Sequence, residues 1–221
     1  MRFVRRVPLG HNHDFVLWKA AFERPPTGPP IGPPSFSDLA DNWNDPNGNV
    51  LRNPRANLVQ SLIESQGHLC AWTGLRIDID SAHIDHIVPQ RKERTLDLEI
   101  DNLVAAFPKS GADASYGTHI RGDAWDPEMV RPNRSDCEHR LVYFPSGKVA
   151  ARTSTDEGAL DAINWLKLDH AALVEARRAA VRGFKARTTF VADFALLEAK
   201  SKSNKPGKLD RFAPAILSAL L

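Results

Sequence analysis

Residues 70–90 read CAWTGLRIDIDSAHIDHIVPQ, and they are followed by DNLVAAF at residues 101–107 and by SYGTHIRGD at residues 115–123. The centre of this stretch is the pair Asp85-His86. An acid next to an imidazole, followed by two apolar residues and the chain-turning Pro89, can place a metal ligand and a general base at the mouth of one hairpin. We therefore expect the rest of the chain to be organised around this pair.

The segments on either side of the pair have the patterns of two strands. Residues 82–88 read as a strand that carries His83, Asp85 and His86, and the apolar run 103–107 follows Asn102. A polar, charged loop at residues 91–97 separates the two segments. Residues 70–74 are expected to form the tight turn that opens the hairpin.

The flanking sequence is mainly helical in pattern. We expect a helix at residues 13–24, a Pro-rich linker or arm at 24–35, and a helix capped by Asn53 that ends near Gly67. Further along, the sequence predicts a hairpin at 141–149 and helices at 159–168, 171–190 and 190–200. The side chains expected to face inward from the first two of these helices are Leu160, Ile163, Leu166 and Leu173. The fold class predicted is α+β and mainly helical, with an N-terminal arm at 1–52, a core at 53–132 and a C-terminal extension at 133–221.

Composition limits the class of protein. The 221 residues are 42% hydrophobic and 25% charged, with a net charge of +2, which is typical of a soluble globular chain. Residues 167–211 contain eleven Lys or Arg and five Asp or Glu, so this tail is about +6 and could attract phosphate backbones or form a solvated helix face. The beginning of the chain has no apolar run of signal-peptide length, and no segment is apolar enough to span a bilayer. We therefore expect a cytoplasmic protein that does not enter the membrane.

The order Asp85, His86, Asn102, His119 suits phosphodiester hydrolysis. A divalent metal can stabilise the charge on the leaving oxygen, and a neutral imidazole can take the proton from water. A strand can supply the acid and the base, an amide can brace the hairpin, and a helix can add a further ligand.

Several motifs carry a resemblance to a known family. They are MRFVRRVPLG (1–10), CAWTG (70–74), HIDHIVP (83–89), DNLVAA (101–106), THIRGD (118–123), DPEMVRPNRSDCEHRLVYFPSGKV (126–149) and NWLKLDHAALVEARRAAV (164–181). By these motifs the chain resembles an HNH endonuclease of the ββα-metal type. It is most similar to the HNH proteins of the Septu and retron-associated anti-phage systems, the PtuB-like family, over residues 53–184.

The resemblance implies roles for individual residues. His86 would be the general base, Asp85 a metal ligand, and Asn102 the amide that holds the loop carrying His86. His119 is the candidate for the third motif position, with Arg121 standing where the family has Lys and able to contact phosphate, and Asp113 is the alternative to His119. His83 lies on the same strand face as Asp85 and is a further, less specific candidate. Each of these side chains, taken singly, could instead be structural.

The sequence departs from the pattern in one respect. Many small nuclease modules of this kind hold their hairpin with a zinc knuckle of cysteine pairs, whereas this chain has only Cys70 and Cys137. We expect ordinary packing around Trp72 to replace the knuckle and Cys70 to be a small buried side chain.

The resemblance also implies a metal cofactor, a substrate and a partner. A histidine and carboxylate set accepts Mg²⁺, Mn²⁺, Ni²⁺ or Zn²⁺, and cellular abundance favours Mg²⁺. The implied substrate is DNA, and the implied partner is an ABC/SMC-type, PtuA-like ATPase, for which the Pro-rich arm and the basic C-terminal helices are candidate contact surfaces. The alternatives are a degenerate HNH scaffold that binds DNA or the ATPase without cleaving, an RNase, or a secreted nuclease toxin. The missing export signal weighs against the toxin.

Overall fold

The computed structural model describes residues 1, 4, 9–23, 34–46, 50–109, 114–187, 189–203 and 205–221. Within these ranges, helices and short strands alternate along the chain. The N-terminal and central elements are α1 (Asp14–Glu23), β1 (Trp43–Asp45), β2 (Val50–Arg52), α2 (Pro54–Ser65), β3 (His83–His86), β4 (Leu103–Ala106) and α3 (Thr118–Arg121). The C-terminal elements are α4 (Cys137–Arg140), β5 (Leu141–Tyr143), β6 (Val149–Ala151), α5 (Glu157–Trp165), α6 (Ala171–Lys185), α7 (Phe190–Lys202) and α8 (Ala213–Leu220).

The strands form three antiparallel pairs, β1 with β2, β3 with β4 and β5 with β6. In the central pair, His83 lies opposite Ala106 and His86 lies opposite Leu103. All four residues of β4 are buried, whereas His83 and Asp85 on β3 are only partly buried. The hairpin therefore packs its second strand into the core and leaves acid and imidazole groups of its first strand accessible.

Helix α2 supports this hairpin from behind. The Asn53 side chain accepts a hydrogen bond from the Ala56 backbone N–H, and Pro54 occupies the first helical position, as predicted. After the helix, the Gln66 side chain donates to the Ala105 carbonyl and accepts from the Ala105 N–H, both at 2.8 Å. Because these bonds replace the ladder bonds that an edge strand lacks, Gln66 fixes β4 to the end of α2.

The main hydrophobic core joins the three segments that the sequence suggested. It includes Phe15 and Trp18 from α1, Trp72 and Leu103 from the central stretch, and Leu173 from α6. The boundaries at residues 52 and 132 remain a prediction, because a shared core does not define them. A second cluster packs α6, α7 and α8 together through Val181, Phe184, Leu197, Leu209, Ala213 and Ile216, with Leu69.

Two sequence-based expectations for the C-terminal region were wrong. The helix predicted over residues 171–190 ends at Lys185, and α7 begins at Phe190, so the apolar pattern belongs to two helices. Leu160 is 39% exposed, because α5 buries its Ala159, Ala162 and Ile163 face and Leu160 lies off that face. Helices α1, α2, α5 and α7 and the β5–β6 hairpin are confirmed, as is the mixed, mainly helical fold.

The Pro-rich segment 24–35 lies outside the described residues except for Pro34 and Ser35. In the described part of the chain, no helix has the length and apolar character needed to cross a membrane.

Two glycines give a matched test of this fold. Gly147 has φ +83°, and a Cβ there would lie 2.0 Å from the Val174 carbonyl oxygen of α6. Gly183 lies on the exposed face of α6, and a Cβ there would meet no atom within 4 Å. We expect Gly147→Ala to lower the free energy of unfolding by at least ~2 kcal/mol and Gly183→Ala to raise it by up to about 1 kcal/mol. Urea unfolding followed by circular dichroism measures both, and equal effects of the two variants would contradict the packing of the β5–β6 turn on α6.

Candidate active site

Asp85 lies on β3 with its carboxylate held by two donors. Its Oδ2 accepts a hydrogen bond from the Trp72 indole N–H at 2.9 Å and an ion-paired hydrogen bond from Arg121 at 3.1 Å. Its Oδ1 has only a long contact of 3.4 Å with the same arginine. The side chain is 13% exposed; Oδ2 is held by two donors, whereas Oδ1 keeps lone-pair capacity for a further partner.

Arg121 is buried, with 2% of its side chain exposed. Its Nη1 donates to the Ile87 carbonyl at 3.0 Å, and its Nη2 donates to the His86 carbonyl at 2.8 Å as well as to Asp85. The guanidinium also lies 4.8 Å from the centre of the Trp72 ring. Arg121 therefore ties α3 to three consecutive residues at the end of β3, and it is not free to reach a phosphate at the surface.

Helix α3 is a single turn bounded by glycines. Gly117 has φ +87° and Gly122 has φ +53°, both in the left-handed region that favours glycine. A Cβ on Gly117 would lie 3.2 Å from the Phe107 carbonyl oxygen, just after β4. The small residue thus lets α3 approach the hairpin closely enough for Arg121 to enter it.

His86 is 8% exposed at the end of β3. Its Nε2 lies 2.9 Å from the Asp97 carbonyl oxygen, and its ring meets the Phe36 ring edge-on with centroids 4.6 Å apart. A carbonyl oxygen can only accept, so Nε2 carries the proton and Nδ1 carries the lone pair of the neutral ring. This is the tautomer in which Nδ1 can act as a base.

Asn102 closes the loop between the two strands. Its side-chain oxygen accepts from the Val88 N–H at 2.8 Å, and its amide nitrogen donates to the Val88 and Leu96 carbonyls at 3.1 Å. The Asn102 carbonyl also accepts from the Ile87 N–H at 2.8 Å. These are the contacts of an amide that braces the loop beside His86, and with the side chain 4% exposed they leave it no role at the surface.

His119 and His83 face each other across α3 and β3. His119 is exposed, and its ring centroid is 5.7 Å from that of His83. The Nε2 of His83 lies 3.3 Å from the Thr118 hydroxyl, and its Nδ1 is buried without a hydrogen-bond partner in the described part of the chain. Burial lowers the pKa of His83, although the nearby Asp85 carboxylate opposes that shift. The ring is therefore neutral at pH 7, which is the form that binds metals.

The donor types at this corner fit a divalent metal ion, although the described residues contain no group of three or more His, Cys, Asp or Glu side chains arranged to hold one. The available protein donors are Oδ1 of Asp85, which has only the long contact with Arg121, and the exposed imidazole of His119, whereas the unpartnered Nδ1 of His83 is buried beside them. Asp113, the alternative third residue, lies outside the described residues.

Trp72 and Cys70 lie in the turn 70–74, where related small nuclease modules have the cysteines of a zinc knuckle. Trp72 is fully buried, and Cys70 is a buried free thiol whose Sγ accepts from the Phe107 N–H at 3.3 Å. Packing around Trp72 thus stabilises the hairpin turn, as expected from the sequence, and the Arg121 cation on its ring adds to it.

Sequence reasoning missed three contacts of the site. Phe36 comes from a segment with no motif, Asp97 acts through its backbone carbonyl, and Trp72 donates to Asp85. Of these three residues, only Trp72 could have been identified from the sequence, because it is an aromatic residue within the CAWTG motif. The other two contacts depend on how a long loop and an N-terminal segment fold back on β3.

A comparison with known protein families supports the HNH resemblance of the central stretch. The family model described as HNH endonuclease matches residues 68–109, which contain β3, β4, Asp85, His86 and Asn102 and end before α3. The match confirms the HNH resemblance for this stretch, and proteins with such domains are generally nucleases that use a divalent metal. It says nothing of the Septu and PtuB-like family. A search of curated proteins found no match.

We expect the Arg121 cation to be the main stabilising contact of this corner. Arg121→Met would leave the Asp85 carboxylate without its cation and the His86 and Ile87 carbonyls without their donors, so the free energy of unfolding should fall by about 3–5 kcal/mol. Arg91→Met is the matched control, because Arg91 is 83% exposed and pairs with Asp123 at the surface, and it should change stability by less than about 1 kcal/mol. Urea unfolding measures both variants, and equal stabilities would contradict the role given to Arg121.

Proposed function

We propose that this protein is a metal-dependent HNH endonuclease that hydrolyses DNA phosphodiester bonds, with His86 as the general base. The observation that supports it best is the hydrogen bond from His86 Nε2 to the Asp97 carbonyl, which leaves the Nδ1 lone pair to accept a proton from water. This bond also stabilises the imidazolium that forms after the transfer. His86 lies within the stretch that matches the HNH endonuclease family.

The other site residues have distinct parts in this proposal. Asp85 and His119 would hold the divalent ion, with His83 beside them, and the ion would supply electrophilic stabilisation to the phosphate and the leaving oxygen. Asn102 keeps the loop after His86 closed, so that the Asp97 carbonyl stays on the imidazole. Mg²⁺ is the ion favoured by cellular abundance, and the imidazole donors also suit Mn²⁺, Ni²⁺ or Zn²⁺.

Arg121 receives a different role from the one that the sequence suggested. Its buried position and its bonds to Asp85, His86 and Ile87 favour positioning of the strand end over contact with phosphate. Exposed basic side chains on the loop after His86, namely Arg91, Lys92 and Arg94, are better placed to meet a nucleic-acid backbone.

The motif resemblance further supports a role in anti-phage defence beside an ABC/SMC-type ATPase. It extends beyond the matched stretch, from residue 53 to about residue 184, and so includes α5 and most of α6. The exposed basic residues of α6, Arg178, Arg182 and Lys185, are candidate contacts for the ATPase or for DNA. In this proposal the three segments 1–52, 53–132 and 133–221 are the arm, the nuclease core and the partner-binding extension of a cytoplasmic protein.

A second candidate function is a degenerate HNH scaffold that binds DNA or the ATPase without cleaving. It is favoured by the Arg121 ion pair, which occupies the carboxylate that would bind the metal, and by the lack of a three-ligand cluster among the described residues. An RNase is a third candidate, because a general base and a divalent ion can hydrolyse the phosphodiester bonds of either polymer.

Cleavage assays separate these functions. With Mg²⁺ or Mn²⁺, the unchanged protein should nick plasmid DNA, and His86→Ala should slow cleavage at least about 100-fold because the proton acceptor is lost. The matched control is His139→Ala, which removes an exposed histidine outside the site. The same assay with and without the ATPase tests whether the partner regulates cleavage. The same assay on DNA and on RNA tests which polymer is the substrate. Equal cleavage by the unchanged protein and His86→Ala would refute the catalytic role.

Metal binding identifies the third motif residue. We expect His119→Ala to weaken Mn²⁺ binding at least about tenfold because it removes one of few protein ligands, and Asp113→Ala to leave binding unchanged. Isothermal titration without nucleic acid measures both affinities. The reverse order of the two variants would assign the ligand to Asp113.

A further inference from the structure

The Phe36 ring covers His86 from a segment that lies outside the HNH match. The two rings meet at 84° with centroids 4.6 Å apart, and Phe36 belongs to the short 3₁₀ turn Phe36–Asp38. On another side of His86, the Asp97 carbonyl accepts the Nε2–H. The imidazole is thus held both by a hydrogen bond and by an aromatic edge contact, and only 8% of the residue is exposed.

The segment that carries Phe36 is anchored independently of His86. Arg55 of α2 lies 5.3 Å from the Phe36 ring centre and donates to the Leu39 carbonyl at 2.7 Å, and its backbone N–H donates to the Ala40 carbonyl at 3.1 Å. Leu39 is buried in the core with 2% exposed. Because α2 also carries the hairpin through Gln66, the Phe36 segment and β3 share one support.

The same segment also reaches the loop that ends at Asn102. The Phe36 backbone N–H lies 3.5 Å from the Asp97 carboxylate, whose other oxygen is buried without a partner in the described part of the chain. Phe36 and Asp97 therefore border the imidazole together. A side-chain change at Phe36 would remove the ring contact with His86 and keep the backbone N–H that faces the Asp97 carboxylate.

We propose that Phe36 is a positioning residue for His86, which holds the imidazole in the orientation that keeps Nε2–H on the Asp97 carbonyl and Nδ1 towards water. This proposal rests on the proposed function for its catalytic consequence. Rotation of the ring about the Cβ–Cγ bond would break the Nε2 hydrogen bond and turn the lone pair away from its working direction. The ring of Phe36 blocks that rotation by occupying the adjacent space.

The first test is kinetic. Phe36→Leu keeps an apolar side chain but removes the ring, so single-turnover DNA cleavage should slow about tenfold or more with the KM for DNA unchanged. Phe36→Tyr keeps the aromatic ring, and this variant should cleave DNA at the rate of the unchanged protein. Phe22→Leu is the matched control, because the Phe22 ring packs on Trp18 at 5.0 Å within α1 and, among the described residues, makes no ring contact with His86, and this variant should cleave normally. Phe36→Met replaces the leucine variant if the latter does not fold, as judged by circular dichroism.

The second test does not depend on cleavage. In the unchanged protein the His86 Nε2–H should give a protected signal in nuclear magnetic resonance spectra, assigned by its loss in His86→Ala. In Phe36→Leu this proton should exchange with water at least about tenfold faster, because the ring that excludes water is gone.

The outcomes are distinct. Faster Nε2–H exchange in Phe36→Leu together with slower cleavage supports the proposal, whereas unchanged exchange overturns it whatever the cleavage rate. Cleavage by Phe36→Leu at the rate of the active unchanged protein also overturns it. If no variant cleaves and exchange is still faster in Phe36→Leu, the proposed nuclease function fails while the positioning of His86 by Phe36 stands.

Discussion

The buried ion pair between Arg121 and Asp85 is the interaction on which the geometry of the central corner depends. Burying a guanidinium is costly unless its donors are satisfied, and here the His86 and Ile87 carbonyls and the Asp85 carboxylate satisfy Nη1 and Nη2, while the buried Nε has no hydrogen-bond partner in the described part of the chain. The Trp72 ring covers one face of the Arg121 cation, and the Trp72 indole N–H donates a second hydrogen bond to the Asp85 carboxylate. One side chain thus holds α3 against β3, and a protein with two buried free cysteines holds its hairpin without a cysteine knuckle.

The loop between β3 and β4 depends on a second internal clamp. A two-residue turn could join these strands, yet the chain inserts residues 87–102, and such an insertion costs entropy unless its ends and its middle are fixed. Asn102 fixes both, since its side chain bonds to Val88 at the start of the loop and to Leu96 near its far point. The clamp brings the Asp97 carbonyl back to His86, so the tautomer of the imidazole is determined by loop closure.

The local patterns predicted more of the fold than of the site. Asn53 and Pro54 start α2 and the apolar runs form β3 and β4, because these signals depend on neighbouring residues. The role of Arg121 could not be inferred, since a basic residue near a candidate metal ligand suits phosphate as well as a buried carboxylate. The contacts of Phe36 and Asp97 with His86 arise from residues 50 and 11 positions away, and no sequence period links such positions. The strands β1 and β2 were missed for a related reason, because three residues are too few to show alternation.

The Arg121 ion pair also limits how a cation could share Asp85. A carboxylate has about four lone-pair positions, and Trp72 and Arg121 use those of Oδ2, so a cation would have to bind at Oδ1, which has only a long contact with Arg121. A divalent ion at Oδ1 would lie close to a guanidinium, and that repulsion is large where water is partly excluded. Imidazole ligands would offset it only in part, because they donate electron pairs without negative charge. A phosphodiester would supply the missing negative charge, so binding of the ion and of the substrate would reinforce each other at this site. In the proposed function, the buried pair that stabilises the hairpin would thereby make metal binding at Asp85 depend on the nucleic acid.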